Sequence, residues 1–111
     1  MLEGFFMVFV ETYAFTKHIP DCFDDEEYRE FQSYLMKHPA KGVLIPGTGG
    51  LRKIRWAARN KGKRGGARII YYWHIPLGQI YLLALYTKNE MTDLSSGDKK
   101  ALKQMVEEWS L

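Results

Sequence analysis

The chain has 111 residues, of which 46% are hydrophobic, and a formal net charge of +3. These values are typical of one small globular domain, residues 1–111, and they exclude a disordered chain. Its single cysteine, Cys22, excludes an internal disulfide, and no apolar run reaches the length of about 18 residues that a membrane-spanning helix needs. Glu3 and Glu11 bracket the first apolar stretch, which is not the order of a signal peptide, so we expect a cytoplasmic protein with no membrane partner.

The first forty residues are predicted to form a strand and then a helix. Residues 5–10 are aromatic and β-branched, and alternate apolar residues extend the predicted strand toward Phe15. A helix is expected to begin at Asp24 or Asp25, whose carboxylates accept hydrogen bonds from the first backbone N–H groups. Pro39 ends the helix, because the residue before a proline disfavours helix. The apolar face of this helix is formed by Tyr28, Phe31, Tyr34 and Leu35.

The remainder is predicted to be an antiparallel meander followed by a second helix. Three strand-like runs follow the glycine-rich loop 46–50; they are residues 51–57, 67–73 and 79–87. A basic hairpin at 60–66 and a tight turn at 75–78 join them, and such short connections require antiparallel strands. Ser95 and Asp98 resemble a capping box at the start of a helix. The apolar face of that helix is formed by Leu102, Met105, Val106 and Trp109. The sequence therefore predicts an α+β domain of roughly β-α-β-β-β-α order.

Charge is segregated along the chain. Residues 1–40 carry a net charge of −5, residues 41–88 carry +10, and residues 89–111 carry −2. No aspartate or glutamate occurs between Glu30 and Glu90. Because ordinary soluble surfaces mix both signs, a segment of one sign indicates a partner that supplies negative charge, most commonly a polyphosphate such as nucleic acid.

Strand alternation sorts the basic residues by face. Lys53 and Arg55 point away from the apolar residues of the first meander strand. Arg68 and Tyr72 point away from the apolar residues Ile69, Tyr71 and Trp73 of the second. If the apolar set packs on the helices, the basic set gathers with Tyr72 on the other side of the sheet.

Further basic residues are expected at the rim of this surface. Lys88 ends the third meander strand, and Lys61, Lys63 and Arg64 lie in the hairpin that can fold over the strands. A cationic concavity with an aromatic ring suits a bent single strand of RNA, whose bases stack while its phosphates are clamped.

The other motifs are weak evidence for a phosphate-binding loop or a metal site. Residues 47–50 and 62–66 are glycine-rich, but both lack the Lys-Ser/Thr ending of a phosphate-binding P-loop. The first is better explained as a structural loop. His18, His38 and His74 do not have the spacing of metal ligands, so neither a metal nor another cofactor is predicted.

Three stretches taken together resemble the toxins of the RelE/ParE superfamily, and within it the HigB-like branch. They are Gly49-Gly50-Leu51-Arg52-Lys53-Ile54-Arg55-Trp56, Gly62-Lys63-Arg64-Gly65-Gly66-Ala67-Arg68-Ile69-Ile70-Tyr71-Tyr72 and Tyr86-Thr87-Lys88-Asn89-Glu90. The match continues through Asp93-Leu94-Ser95 to about residue 102. The resemblance implies a small twisted antiparallel sheet with helices packed on one face.

The resemblance also implies an activity. Such toxins of bacterial type II toxin–antitoxin systems are endoribonucleases that enter the ribosomal A site and cut translated mRNA, which inhibits translation and growth. The implied partners are a cognate antitoxin, the ribosome with its 16S rRNA, and mRNA. The implied chemistry uses no metal: the 2′-hydroxyl attacks the adjacent phosphate, a base takes its proton, cations stabilise the phosphate, and an acid protonates the leaving 5′-oxygen.

By position, the resemblance implies catalytic roles for Lys53, Arg55, Arg68 and Lys88, to which the hairpin adds Arg64. We expect Arg64 and Arg68 to clamp phosphate, because guanidinium groups bind phosphate oxygens bidentately. Lys53 is the candidate for proton transfer, because neighbouring cations favour the neutral form of a lysine. Glu90 either orients Arg68 or Lys88 or is a surface charge. Contacts with RNA or the ribosome are expected from Arg52, Arg59, Lys61, Lys63 and Tyr72.

The chain departs from some relatives at two positions, which leaves the general acid and base open. Asn89 follows Lys88 where those relatives have an arginine, and Ser95 stands where they have a tyrosine. Two alternatives to the nuclease therefore remain. One is a toxin of the same fold that inhibits DNA gyrase by protein binding, for which a concave cationic site would not be needed. The other is an RNA-binding module without catalysis.

Overall fold

The computed structural model describes residues 7–57, 66–87 and 94–109. Within these ranges the strands are β1 (Val8–Glu11), β2 (Val43–Leu44), β3 (Leu51–Trp56), β4 (Ala67–His74) and β5 (Gln79–Thr87). The α-helices in the same ranges are α1 (Tyr13–Cys22), α2 (Asp25–Lys37) and α3 (Ser96–Trp109). The strands form one sheet in the order β1-β5-β4-β3-β2, which confirms the predicted α+β class. No helix in the described part of the chain is long and apolar enough to cross a membrane.

The sheet is mixed rather than entirely antiparallel. β3, β4 and β5 form the predicted antiparallel meander. β2 adds a short antiparallel edge beside β3, and β1 pairs with β5 in parallel at the other edge. Parallel strands need a long connection, which here is the whole chain between β1 and β5.

A bulge in the β4–β5 pairing anchors the start of α1. Between Ile70 and Tyr71 the register shifts, so that Leu83 becomes the extra residue on β5. The Leu83 carbonyl accepts a hydrogen bond from Thr12 Oγ1 at 2.9 Å. The same Thr12 Oγ1 accepts from the Phe15 N–H at 3.1 Å and so caps α1. Thr12 therefore both donates a hydrogen bond to the bulged residue of β5 and caps the first turn of α1.

This cap explains why the predicted extension of the first strand is wrong. β1 ends at Glu11, and residues 13–22 are helical. The apolar residues Phe15, Ile19 and Cys22 all pack in the core, and their spacing of four and three residues is helical. The sequence signal was present, but the alternation of residues 11–15 concealed it.

The predicted starts of the other two helices are confirmed. At α2, Asp24 Oδ1 accepts from the Glu27 N–H at 2.7 Å, and Glu27 Oε1 accepts from the Asp24 N–H at 3.0 Å. At α3, the Asp98 N–H donates to Ser95 Oγ at 3.0 Å and the Ser95 N–H donates to Asp98 Oδ2 at 3.1 Å. Both pairs are capping boxes, which satisfy N–H groups that a helix leaves free.

Helices cover both faces of the sheet, not one face as the resemblance implies. α1 and α2 pack on the face that carries Ile54, Ile69 and Tyr71. α3 packs on the other face, where Leu102 and Val106 meet apolar residues of the sheet. Those sheet residues are Leu51, Ile70 and Leu83. Because β4 is apolar on both sides, each face needs helical cover to remove it from water.

Two side chains of the sheet hold the segment between α2 and β2. The Tyr71 hydroxyl donates to the Pro39 carbonyl at 2.7 Å and accepts from the Gly42 N–H at 2.9 Å. Arg52 Nη1 donates to the carbonyls of Ala40 and Gly42 at 3.1 and 2.8 Å. Position 42 must be glycine, because a Cβ there would lie 2.7 Å from the Tyr71 ring.

We expect Tyr71→Phe to lower the free energy of unfolding by about 1–3 kcal/mol, because it removes both hydrogen bonds of a hydroxyl in the core. Urea titration followed by circular dichroism measures the loss. The matched control is Tyr13→Phe, whose ring is 80% exposed and which should leave the midpoint unchanged. Equal midpoints for the two variants would show that the Tyr71 hydroxyl does not hold this segment.

Stability should also fall in alkali. Burial raises the pKa of Tyr71, and burial together with the Glu11 carboxylate 2.6 Å away raises the pKa of Tyr28. Above the ordinary tyrosine pKa of about 10 the unfolded chain releases these protons while the folded chain keeps them, so the free energy of unfolding decreases as pH rises. Urea midpoints from about pH 8 to pH 11 measure the slope, and the double variant Tyr28→Phe/Tyr71→Phe should flatten it. An unchanged slope in the double variant would contradict the assignment.

Candidate nucleic-acid interface

Strand pairing brings three basic side chains onto one face of the sheet. Arg55 on β3 lies directly opposite Arg68 on β4, and Arg68 lies opposite Tyr86 on β5. Lys53 lies in the next row on the same face, opposite Ile70. We call the surface of the sheet that carries Lys53, Arg55 and Arg68 the cationic face. It is the side turned away from α1 and α2, as strand alternation predicts.

The cationic face holds like charges close together. Residues directly opposite on antiparallel strands have Cβ atoms about 4.5–5.5 Å apart, and like charges in that position destabilise the sheet. β3, β4 and β5 contain no aspartate or glutamate. Because Arg55 and Arg68 present like charges at directly opposite positions, an anion bound between them would be stabilised by both.

Burial differs between the two arginines. Arg68 is only 8% exposed, whereas Arg55 is exposed on a part of β3 that β2 does not reach, since β2 pairs only with residues 52 and 53. A guanidinium stays charged when it is buried, and its planar N–H groups match the oxygens of a phosphate. The pair therefore combines one cation fixed by the protein with one that is accessible from solvent.

A glycine sets the point at which β4 meets β3. Gly66 has a φ of +63°, and a Cβ at this position would lie 2.3 Å from the Trp56 carbonyl oxygen. Any larger residue would push the two strands apart at the Trp56–Ala67 pair, immediately beside Arg55 and Arg68. The close approach at Gly66 is thus part of what holds the two arginines opposite each other.

Arg52 does not join this group. It lies opposite Tyr71, which faces α1 and α2, and its guanidinium is bound to the carbonyls of Ala40 and Gly42. The structure thus gives Arg52 a structural role, where the sequence suggests contact with RNA or the ribosome. The same alternation that selected Lys53 and Arg55 would have placed Arg52 on the opposite face.

Six further predicted site residues cannot be located, because they lie outside the described residues. They are Arg59, Lys61, Lys63, Arg64, Lys88 and Glu90. Their proposed roles remain predictions from the sequence.

The aromatic part of the interface is larger than the sequence indicates. Tyr72 lies on the cationic face as predicted, directly opposite Tyr81 on β5. His74 lies on the same side, and the three ring centroids are 6.1–6.4 Å apart. Tyr81 was not predicted because the bulge at Leu83 shifts the alternation of β5 by one residue. His74 was not predicted because the expected strand ended at Trp73, whereas β4 extends to His74.

A groove of about 910 Å³ lies on the other side of the sheet, between α2 and the end of β3. Its wall mixes both signs of charge, from Glu26 and Glu30 to Arg29 and Lys37, so it does not share the single sign of the cationic face. Among the described residues, no three His, Cys, Asp or Glu side chains are grouped in a way that could hold a metal ion.

We expect Arg55→Gln to stabilise the fold, because it removes the like charge opposite Arg68. The free energy of unfolding should rise by about 0.2–1 kcal/mol, and less in high salt, which screens the repulsion. Lys41→Gln, which removes one positive charge from an exposed loop position, is the control and should leave stability unchanged. A destabilised Arg55→Gln protein would show that the pair does not repel.

Solved structures with a similar fold include toxins from E. coli. The chain matches the intact E. coli RelBE toxin–antitoxin complex with a TM-score of 0.56 and 12% identity, covering 73% of this chain and 95% of the matched one. It matches the isolated E. coli RelE toxin with a TM-score of 0.55 and 13% identity, covering 89% and 98%. A double arginine-to-alanine mutant of RelE in the free state gives a TM-score of 0.55 and 10% identity, covering 78% and 87%. No protein-family model matches the sequence.

At this level of identity the similarity is one of fold, and it extends over almost the whole of each matched toxin chain. Assignment to the HigB-like branch remains a prediction from the sequence. The five-stranded mixed sheet with its cationic face turned away from α1 and α2 is therefore built on the fold of the RelE toxins.

Proposed function

We propose that this chain is the toxin of a bacterial type II toxin–antitoxin pair and that it cleaves translated mRNA in the ribosomal A site. The similarity of its fold to RelE supports the toxin class. The observation that carries the nuclease is the cross-strand pair of Arg55 and Arg68, with Lys53 in the adjacent row. Two opposed guanidinium groups and an amine are the groups that phosphate chemistry requires.

In the proposed reaction the 2′-oxygen of one nucleotide forms a bond to the adjacent phosphorus, while the bond from phosphorus to the 5′-oxygen breaks. Arg55 and Arg68 hold the non-bridging oxygens, on which negative charge builds in the transition state. Lys53 is the candidate base that takes the proton of the 2′-hydroxyl. Water or a protonated neighbouring group supplies a proton to the leaving 5′-oxygen, so the products are a cyclic phosphate and a 5′-hydroxyl end.

A co-encoded antitoxin is part of the proposal. One matched structure is of a toxin in complex with its antitoxin. On this chain the cationic face is the surface whose exposure would make the toxin active, and it is complementary to carboxylates. An antitoxin that places aspartate or glutamate side chains against Arg55 would block phosphate binding by occupying the same guanidinium.

Two alternatives to the nuclease remain. A toxin of the same fold that inhibits DNA gyrase by protein binding would not need opposed cations on one face, so it would not depend on the Arg55–Arg68 pair. An RNA-binding module without catalysis would depend on Arg55 and Arg68 but would leave RNA intact. The nuclease is therefore distinguished by cleavage, and both alternatives become outcomes of one experiment.

We expect expression of the chain to produce cuts at codon spacing in translated messages, and Arg68→Ala to reduce them roughly hundredfold, as loss of one donor to a transition-state oxyanion does. Primer extension on an induced message measures the cuts, which should vanish when translation is blocked. The matched control is Arg29→Ala, an exposed arginine on α2 away from the cationic face, which should cut like the wild type.

The outcomes separate the three functions. Intact messages together with inhibited supercoiling would establish the gyrase inhibitor instead. Intact messages with retained, arginine-dependent RNA binding would establish the non-catalytic module. Because Arg68 is buried, circular dichroism should first show that the Arg68→Ala protein is folded. Arg55→Gln changes an exposed residue of the same pair, and this variant should also cut fewer messages.

A further inference from the structure

Three aromatic side chains form a cluster at one end of the cationic face. Tyr72 and His74 lie on β4 two residues apart, and Tyr81 on β5 lies directly opposite Tyr72. The ring centroids are 6.1 Å apart for Tyr72 and His74, 6.3 Å for Tyr72 and Tyr81, and 6.4 Å for His74 and Tyr81. We call these three residues the aromatic triad.

The triad is not simply part of the core. Tyr71, the neighbour of Tyr72 on β4, is completely buried on the other face, and both hydrogen bonds of its hydroxyl hold the 39–42 segment. Each member of the triad, in contrast, is partly exposed. Tyr72 and Tyr81 pack against the core that α3 covers, which holds them in position, whereas His74 is not part of that core. The hydroxyl of Tyr81 donates to Gln79 Oε1 at 2.5 Å, which orients its ring.

The triad lies on the same face as the phosphate-binding candidates. Four residues of β4 separate Tyr72 from Arg68, which corresponds to about 13 Å along a strand. Lys53 lies in the row between them. Cations and exposed rings along one groove are the combination that binds single-stranded nucleic acid, because phosphates need positive charge while every base has a face that stacks on an aromatic ring.

The geometry points to a base-stacking site: we propose that the aromatic triad receives a nucleobase of the RNA strand whose phosphate is held by Arg55 and Arg68. This inference rests on the proposed function for the identity of the strand, and it deepens that function by adding a second point of contact. The triad lies too far from the arginines to touch the reacting phosphate, so it acts as a positioning site that fixes the register of a flanking nucleotide.

The site should bind any of the four nucleobases with similar affinity and should not select one of them. Stacking on a ring tolerates all four bases, whereas discrimination needs hydrogen bonds to base edges. Loss of the His74 ring should therefore weaken binding of strands that carry bases and leave binding of the sugar–phosphate backbone unchanged.

The test uses the full chain and a single-stranded RNA in which every 2′-hydroxyl is methylated, so that it binds without being cut. Fluorescence anisotropy measures its affinity and that of a strand of equal length that is abasic throughout. We expect His74→Ala and Tyr81→Leu each to weaken binding of the intact strand by roughly 5- to 100-fold, as loss of one stacking ring does, and to leave the abasic strand unaffected. Tyr81→Phe keeps the ring and should bind like the wild type.

Two controls define the result. Arg55→Gln should weaken binding of both strands by the same factor, because it contacts phosphate alone. Tyr13→Ala removes an exposed ring outside the triad and should change neither. If the wild type binds the intact strand no better than the abasic one, or if His74→Ala weakens both equally, the stacking site is wrong.

Failure of this inference is distinguishable from failure of the proposed nuclease. Wild-type protein that cuts translated mRNA in primer extension but shows no base-dependent binding would overturn the stacking site alone. Protein that shows base-dependent, His74-dependent binding but never cuts would overturn the nuclease and leave the stacking site in place.

Discussion

The antiparallel pairing of β3 with β4 is the constraint on which the rest of this structure depends. Its register sets Ile54 opposite Ile69 on one face and Arg55 opposite Arg68 on the other. Because side chains alternate, a slip of one residue would turn the arginines toward α1 and α2 and expose the isoleucines. Burial of the apolar face against these two helices therefore selects the register, and the position of the arginines follows from it.

The cationic face is divided into regions with different roles. Its centre is apolar and covered by α3 through Leu102 and Val106. Toward β3 it carries the like charges of Lys53, Arg55 and Arg68, and toward the start of β5 it carries the aromatic triad. The two cores supply the free energy that holds these strands in register, since each large buried side chain contributes about 1.5–3 kcal/mol.

Elements with strong local signals were predictable from the sequence. α2 and α3 begin at capping boxes formed by residues close in sequence, and the strand-like runs of β3, β4 and β5 are separated by segments that contain glycine. α1 was missed because the apolar alternation of residues 11–15 concealed both its Thr12 cap and the helical spacing of Phe15, Ile19 and Cys22. The common face of Lys53, Arg55 and Arg68 followed from alternation. Tyr81 was missed because the bulge changes the alternation of β5, and His74 because β4 extends one residue beyond the predicted strand.

The sequence by itself determined the charge segregation, the meander, two of the helix starts and the side of each strand on which a basic residue lies. These are local properties, set by alternation, by capping side chains and by composition. Only the tertiary structure decided that α3 covers the second face, that Arg52 binds backbone carbonyls instead of facing the arginine pair, and that three rings meet at one end of the cationic face. Those outcomes depend on which distant segments pair and at what register, and that choice is made by burial of the whole core rather than by any one stretch of residues.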